Sequence, residues 1–112
     1  MKKNLCIFSF TLLAACSAKL LAPTQADVDR VATKYPGYSL AELNKGKTMY
    51  EQNCKSCHGL KNPTSRDENQ WSAVVPKMVE KVNKKAGTTK IDNLSQQTLI
   101  KYLVAMSLAP SK

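Results

Sequence analysis

The 112-residue chain has one histidine, His58, and one tryptophan, Trp71, and aromatic residues make up only 6% of it. The single histidine excludes any site that needs two imidazoles from this chain. Cysteine is equally limited. Cys6 and Cys16 fall near the N-terminus, which leaves Cys54 and Cys57 and no disulfide framework. A zinc site on Cys54, Cys57 and His58 lacks a fourth ligand, because no Cys or His follows them. Acidic side chains number 8 against 17 basic ones, a net charge of +9. The apolar stretch from Leu5 to Ala15 is too short to span a membrane, which takes about 20 residues in a helix. No segment alternates cleanly enough to be read as a strand, and no internal repeat or low-complexity tract is present. Nothing supplies acid–base or nucleophilic machinery, so an independent enzyme is not expected. A chain this size makes one small domain with a modest core, and such domains often take stability from a bound group.

The first residues form an export signal. Lys2 and Lys3 are a basic n-region and Leu5 to Ala15 an apolar h-region. The stretch ends Leu13-Ala14-Ala15-Cys16. Loss of the two leader lysines leaves a charge of about +7, which favours acidic partners or anionic membranes. The lysines are spread along the chain and no nucleic-acid motif accompanies them, so nucleic acid is not an expected partner.

The strongest signal is Cys54-Lys55-Ser56-Cys57-His58-Gly59. It reads C-x-x-C-H, the attachment site of one covalent c-type haem. Two thiols at this spacing each add to one vinyl group of a single porphyrin, and the adjacent histidine is held under the iron. A redox dithiol is the competing reading, but it wants a βαβ setting that this sequence does not offer.

The rest of the chain reads as helices. Thr24, with Asp27 three residues on, is an N-cap for a short accessory helix carrying Val28, Val31, Ala32 and Tyr35, stopped by Pro36-Gly37. Ser39-Leu40-Ala41-Glu42 is a capping box. Leu43, Gly46, Tyr50, Cys54 and Cys57 then follow at helical spacing, which puts both thiols on one apolar stripe. Ser65-Arg66-Asp67-Glu68 is a second capping pattern, opening a helix with Trp71, Val74, Val75, Met78, Val79 and Val82 on one face. Pro76 predicts a kink or a fresh start within it, and Gly87 caps its end. Ser95 caps a last helix with Leu99, Tyr102, Leu103 and Met106 along one side.

Together, Gly46-x-x-x-Tyr50-x-x-x-Cys54-x-x-Cys57-His58-Gly59 resembles a small class I-like bacterial cytochrome c. The resemblance covers roughly residues 39–107 and implies an all-α, cytochrome c-like helical domain wrapped round one covalent haem c. It implies that Gly46 and Tyr50 on the helix before the motif meet Leu99 and Tyr102 on the last helix. It implies His58 as proximal iron ligand, its other ring nitrogen donating to a carbonyl near Pro63. A haem-facing tryptophan helix, as in a subgroup of short monohaem cytochromes, implies an apolar shell from Leu60, Trp71, Val75 and the last helix. The chain departs from the family in having no methionine loop. Met78 is the favoured distal ligand, with Met106 as the alternative and Met49 read as packing. Arg66 is read as a solvated arginine of the capping turn, with a haem propionate as the other possibility.

Leu13 to Cys16 resembles the bacterial lipobox, which implies a lipid on Cys16. Residues 1–15 are then the lipoprotein signal peptide, 16–38 a lipid tether with the accessory helix, and 39–112 the cytochrome domain. The implied location is the periplasmic side of a membrane. Ser17, in place of the aspartate that retains lipoproteins on the inner membrane, favours the outer one. Ordinary cleavage after Ala18 would give a soluble periplasmic protein instead. The expected activity is electron transfer between redox partner proteins, with Lys77, Lys81, Lys84 and Lys85 as a wet helix face or a dock for an acidic partner. The alternatives are a ligand-sensing haem protein with an open distal site and a haem subunit of a larger oxidoreductase.

Overall fold

The computed structural model describes residues 20–54 and 59–110. Cys16, Cys57 and His58 lie outside the described residues. The elements are α1 (Gln25–Arg30), α2 (Leu40–Asn53), a 3-10 turn (Pro63–Ser65), α3 (Glu68–Ala86) and α4 (Asn93–Ser107). The described residues contain no strand, so the all-α class holds.

Helix α4 is the spine, because α1, α2, α3 and the 3-10 turn all pack on it. It buries Leu99 and the continuous run Tyr102–Met106. The packing of α2 is set by Gly46. A Cβ built there would lie 2.4 Å from Tyr102 Cβ and 2.8 Å from the Thr98 carbonyl oxygen. No carbon fits at those distances, so only glycine lets the two backbones approach so closely. One turn on, the Tyr50 ring lies 5.9 Å from that of Tyr102 and meets Trp71 edge-on at 6.2 Å. The expected meeting of Gly46 and Tyr50 with Tyr102 is therefore present.

Capping explains where the helices begin. Ser39 Oγ accepts from the Glu42 N–H at 3.1 Å and opens α2. Helix α3 starts later than Ser65 would place it. Its cap is Asp67, which accepts from the Gln70 N–H at 2.8 Å while the Gln70 side chain accepts from the Asp67 N–H at 2.9 Å. Ser65 belongs instead to the 3-10 turn, which Asn62 caps by accepting from Thr64. Helix α4 starts earlier than expected. Asp92, not Ser95, is its cap, and the Ser95 N–H donates to it at 2.7 Å. An aspartate also sets negative charge against the helix dipole, which a serine does not.

Pro76 causes no fresh start, since α3 is one helix through it. The unpaired carbonyl it leaves belongs to Ser72, and both residues face water, so solvent takes the missing donor's place. Gly87 ends α3 in the left-handed conformation, φ 69°. The α3–α4 connection is clamped by Asn83, whose side chain donates to the Ile91 carbonyl at 2.9 Å and accepts from the Ile91 N–H at 2.8 Å.

The core is larger than the composition implies. Trp71, Tyr50, Tyr102, Leu43, Leu99 and Leu103 are all fully buried. The N-terminal segment adds to the same core through Val28 and Val31. Tyr35 and Tyr38 pack edge to face at 5.7 Å with the Lys101 ammonium over both rings. Lys34 pairs with Glu68 at the start of α3. Within α1 the buried Asp27 carboxylate accepts from the Thr24 N–H at 2.8 Å and hydroxyl at 3.0 Å, and pairs with Arg30 at 2.9 Å. Burial pushes this carboxyl up, but those three partners outweigh it and hold it below the usual carboxylate range.

Gly46→Ala is expected to lower stability by about 1–3 kcal/mol in urea unfolding, because the clash outweighs the helix propensity that alanine adds, at most about 1 kcal/mol. An unchanged midpoint would show that the helices separate at no cost. Asp27→Ala should cost about 1–3 kcal/mol at pH 7. The folded carboxyl sits below its unfolded value, so its contribution is present above about pH 4 and fades as pH falls through the folded value. The gap between wild type and variant should therefore narrow as pH falls below about 4, and a constant gap would contradict the ionic account.

Candidate functional site

Helix α3 carries two rows of apolar side chains four residues apart. Trp71, Val75 and Val79 are buried against α4, whereas Val74, Met78 and Val82 are half-buried in the adjacent row. The second row forms one wall of a cavity of about 420 Å³. Tyr50, Asn53 and Cys54 at the end of α2 form another part, and Gly59, Lys61 and Arg66 from the connecting segment complete the described lining with Lys81 and Lys85. That volume lies within the range of small-molecule and cofactor pockets.

Cys54 is the C-cap of α2, its N–H donating to the Tyr50 carbonyl at 3.0 Å. The helix thus ends at Asn53. The expectation that one helix carries both thiols is narrowed to Cys54 at its end, with Cys57 beyond the described residues. Tyr50 joins core to cavity. Its ring is buried, and its hydroxyl donates to the Lys61 carbonyl at 2.7 Å, which fixes the segment after the motif. Burial, and secondarily Cys54 beside it, push the Tyr50 hydroxyl up to about 12, so it stays protonated across the physiological range.

Trp71 lies behind the cavity wall rather than on it. Its indole N–H donates to the Pro63 carbonyl at 2.8 Å, a buried bond that pins the 3-10 turn to α3. The Arg66 guanidinium stacks over the other side of this arrangement, 5.0 Å from the Trp71 ring centre. Arg66 is therefore a half-buried cation lining the cavity, not a fully solvated residue of the capping turn.

The electrostatics of the lining are one-sided. Lys61, Arg66, Lys81 and Lys85 contribute four cationic groups, and no described lining residue is Asp or Glu. The ion pairs among the described residues join Arg30 to Asp27, Lys34 to Glu68 and Lys47 to Glu51, and none involves these four cations. The cavity offers an apolar wall, sulfur atoms from Cys54 and Met78, and a positive rim. No cluster of three His, Cys, Asp or Glu side chains occurs among the described residues, and an acid–base pair is absent from the described lining.

Of Met78 and Met106, the two candidates for the distal ligand, Met78 lines the cavity. Met106 is 3% exposed within the α4 core, and Met49 lies on α2 outside the described lining. Leu60, Trp71 and Val75 were expected as an apolar shell. Trp71 and Val75 belong to the core, and Leu60 packs against it outside the described lining. Val74 and Val82 line the cavity instead. The i, i+4 spacing around Met78 already carried this signal, but grouping both rows as one face hid it. Lys61 was missed because nothing in its local sequence sets it apart.

No family model, curated protein or solved structure matches the chain.

Tyr50→Phe should lower stability by about 0.5–1.5 kcal/mol through loss of the bond to Lys61. Amide exchange in residues 59–62 should quicken in the same variant, and unchanged exchange there would show that the hydroxyl does not fix the segment.

Proposed function

We propose that the chain is a c-type cytochrome that transfers single electrons. The observation that carries this reading is that Cys54 of the C-x-x-C-H motif and Met78 line one apolar cavity with a cationic rim. The residues present suit a haem. Cys54 and Cys57 would hold the porphyrin through thioether bonds, and His58 and Met78 would ligate its iron. Val74 and Val82 would keep water from the ring face, and the cations at the rim suit its carboxylates. When bound, the haem supplies reversible Fe(II)/Fe(III) chemistry, at a potential that a thioether donor raises.

The crossing of α2 and α4 at Gly46 and Tyr102 supports the class I-like reading of the fold. The Arg66 charge in the cavity lining would oppose the added positive charge of a ferric haem and so favour the ferrous form. Lys81 and Lys85 lie at the cavity and stand exposed with Lys77 and Lys84, which suits an acidic redox partner. The lipobox at Cys16 supports export and a lipid anchor on the periplasmic side, the outer membrane favoured. No described helix is long and apolar enough to cross a membrane.

The exported protein should show a low-spin haem spectrum with the weak far-red ferric band of thioether ligation. Met78→Ala should abolish that band and open the iron to carbon monoxide, whereas Met106→Ala should only lower stability, by about 2–5 kcal/mol. Loss of the band in the Met106 variant alone would refute Met78 as ligand. Rapid carbon monoxide binding by the wild type would refute the electron carrier in favour of a ligand-sensing protein.

A further inference from the structure

Resting on the reading that Cys16 carries the lipid, we infer that the N-terminal segment is a clasp that holds the domain at the bilayer surface on a very short tether. Three residues, Ser17, Ala18 and Lys19, separate Cys16 from Leu20. Leu20 and Leu21 pack against the hydrophobic core. Four residue steps span at most about 14 Å, so the lipidated residue lies no farther than that from the packed domain. From Leu20 onward the chain is tied down at short intervals. Asp27 accepts from the Thr24 N–H at 2.8 Å and fixes the entry to α1. Val28, Val31 and Tyr38 are buried in the core. The Lys101 ammonium of α4 lies over Tyr35 and Tyr38, and Lys34 pairs with Glu68 of α3. If all of residues 16–38 hung free, the reach would be about 80 Å.

The clasp and the cavity use different parts of the fold. Helix α1 packs on α2 and α4, and the described lining of the cavity includes no residue from 20–38. The anchored edge therefore leaves the cavity lining out. Charge does not account for attachment at this edge. Arg30 is paired with Asp27 and Lys34 with Glu68, so an anionic headgroup gains little from either cation. The acyl chains supply the hold on the membrane, and the packed leucines set its length. A domain of about 90 residues is roughly 30 Å across, so its far side stands within about 45 Å of the lipid. The partner that this edge fits is the lipid surface itself, and a redox protein has to meet the cavity close to the bilayer.

The test uses the full exported chain in a supported bilayer of phosphatidylethanolamine and phosphatidylglycerol. Neutron reflectometry reads the height of the protein layer. The wild-type layer should begin within about 14 Å of the headgroups and end within about 45 Å of them. About twenty Gly-Ser residues inserted between Ser17 and Ala18 should move its far edge outward by about 20 Å. Leu20→Ser with Leu21→Ser should move it the same way by about 5 Å, because the tether then runs to Thr24, and circular dichroism should show the helices kept. Raising the salt to about 0.5 M should leave the wild-type height unchanged. A wild-type layer already as high as that of the insertion variant would overturn the clasp. So would a folded serine pair that leaves the height unchanged. A wild-type layer that moves in high salt would assign its position to the basic residues and overturn the clasp as well. The intact mass, measured separately, reports whether Cys16 carries lipid. Lipid present beside any of these negative results leaves the lipoprotein reading standing and the clasp refuted. A chain without lipid refutes that reading and the inference built on it.

Discussion

The contact between Gly46 on α2 and Tyr102 on α4 determines most of what surrounds it. With no room for even one carbon at Gly46, the α2 backbone lies against the Cβ of Tyr102 and the carbonyl of Thr98. That approach brings Tyr50 one turn later into the space between Tyr102 and Trp71. Tyr50 in turn reaches Lys61 through its hydroxyl and stands beside Cys54 at the helix end. A helix crossing made close by one missing side chain thus fixes both the end of α2 and the course of the chain after the motif. The same ring closes the core on one side and lines the cavity on the other.

Helix α3 separates core from cavity by rotation alone. Residues four apart stack on a helix, so Trp71, Val75 and Val79 form one row and Val74, Met78 and Val82 the next. The first row is buried against the rest of the protein and the second is left half-buried at the cavity. Flexible and polarisable methionine suits such a boundary, where a branched side chain would be more rigid. Lys81 and Lys85 line the same cavity and are exposed, as suits a side chain with an apolar stem and a charged head.

Much of this was legible in the sequence because periodicity and caps are local. The stripe Leu43, Gly46, Tyr50 and Cys54, the stop at Gly87 and the cap at Thr24 all rest on neighbours within a few residues. The errors arose where two local signals compete. Ser65 and Asp67 both satisfy a capping pattern. The choice falls to Asp67 because Trp71 binds Pro63 and draws residues 63–65 into a 3-10 turn. Ser95 yields to Asp92 through a bond from its own N–H. The cavity cations were less legible, because Lys61, Arg66, Lys81 and Lys85 come together only through tertiary packing. A count of aromatic residues likewise understated the core. Three rings joined through Tyr50, which meets both Trp71 and Tyr102, fill space that a larger number of scattered ones would leave open.

The position of Met78 follows from clamps at the two ends of its helix. Trp71 ties the start of α3 to Pro63, and Asn83 ties its end to Ile91. Met78 lies between them, and a slip of one residue at either clamp would turn it by about 100° away from the cavity. A break at Pro76 would uncouple the clamps and let the two halves turn separately. The continuous helix prevents this even though an interior proline removes one hydrogen bond and crowds the carbonyl four residues back, together costing about 3 kcal/mol. Here both Pro76 and the residue that loses its donor, Ser72, are exposed, so water offsets much of that loss. The proline is tolerated because it lies on the wet side of a helix whose other sides hold the core and the cavity wall.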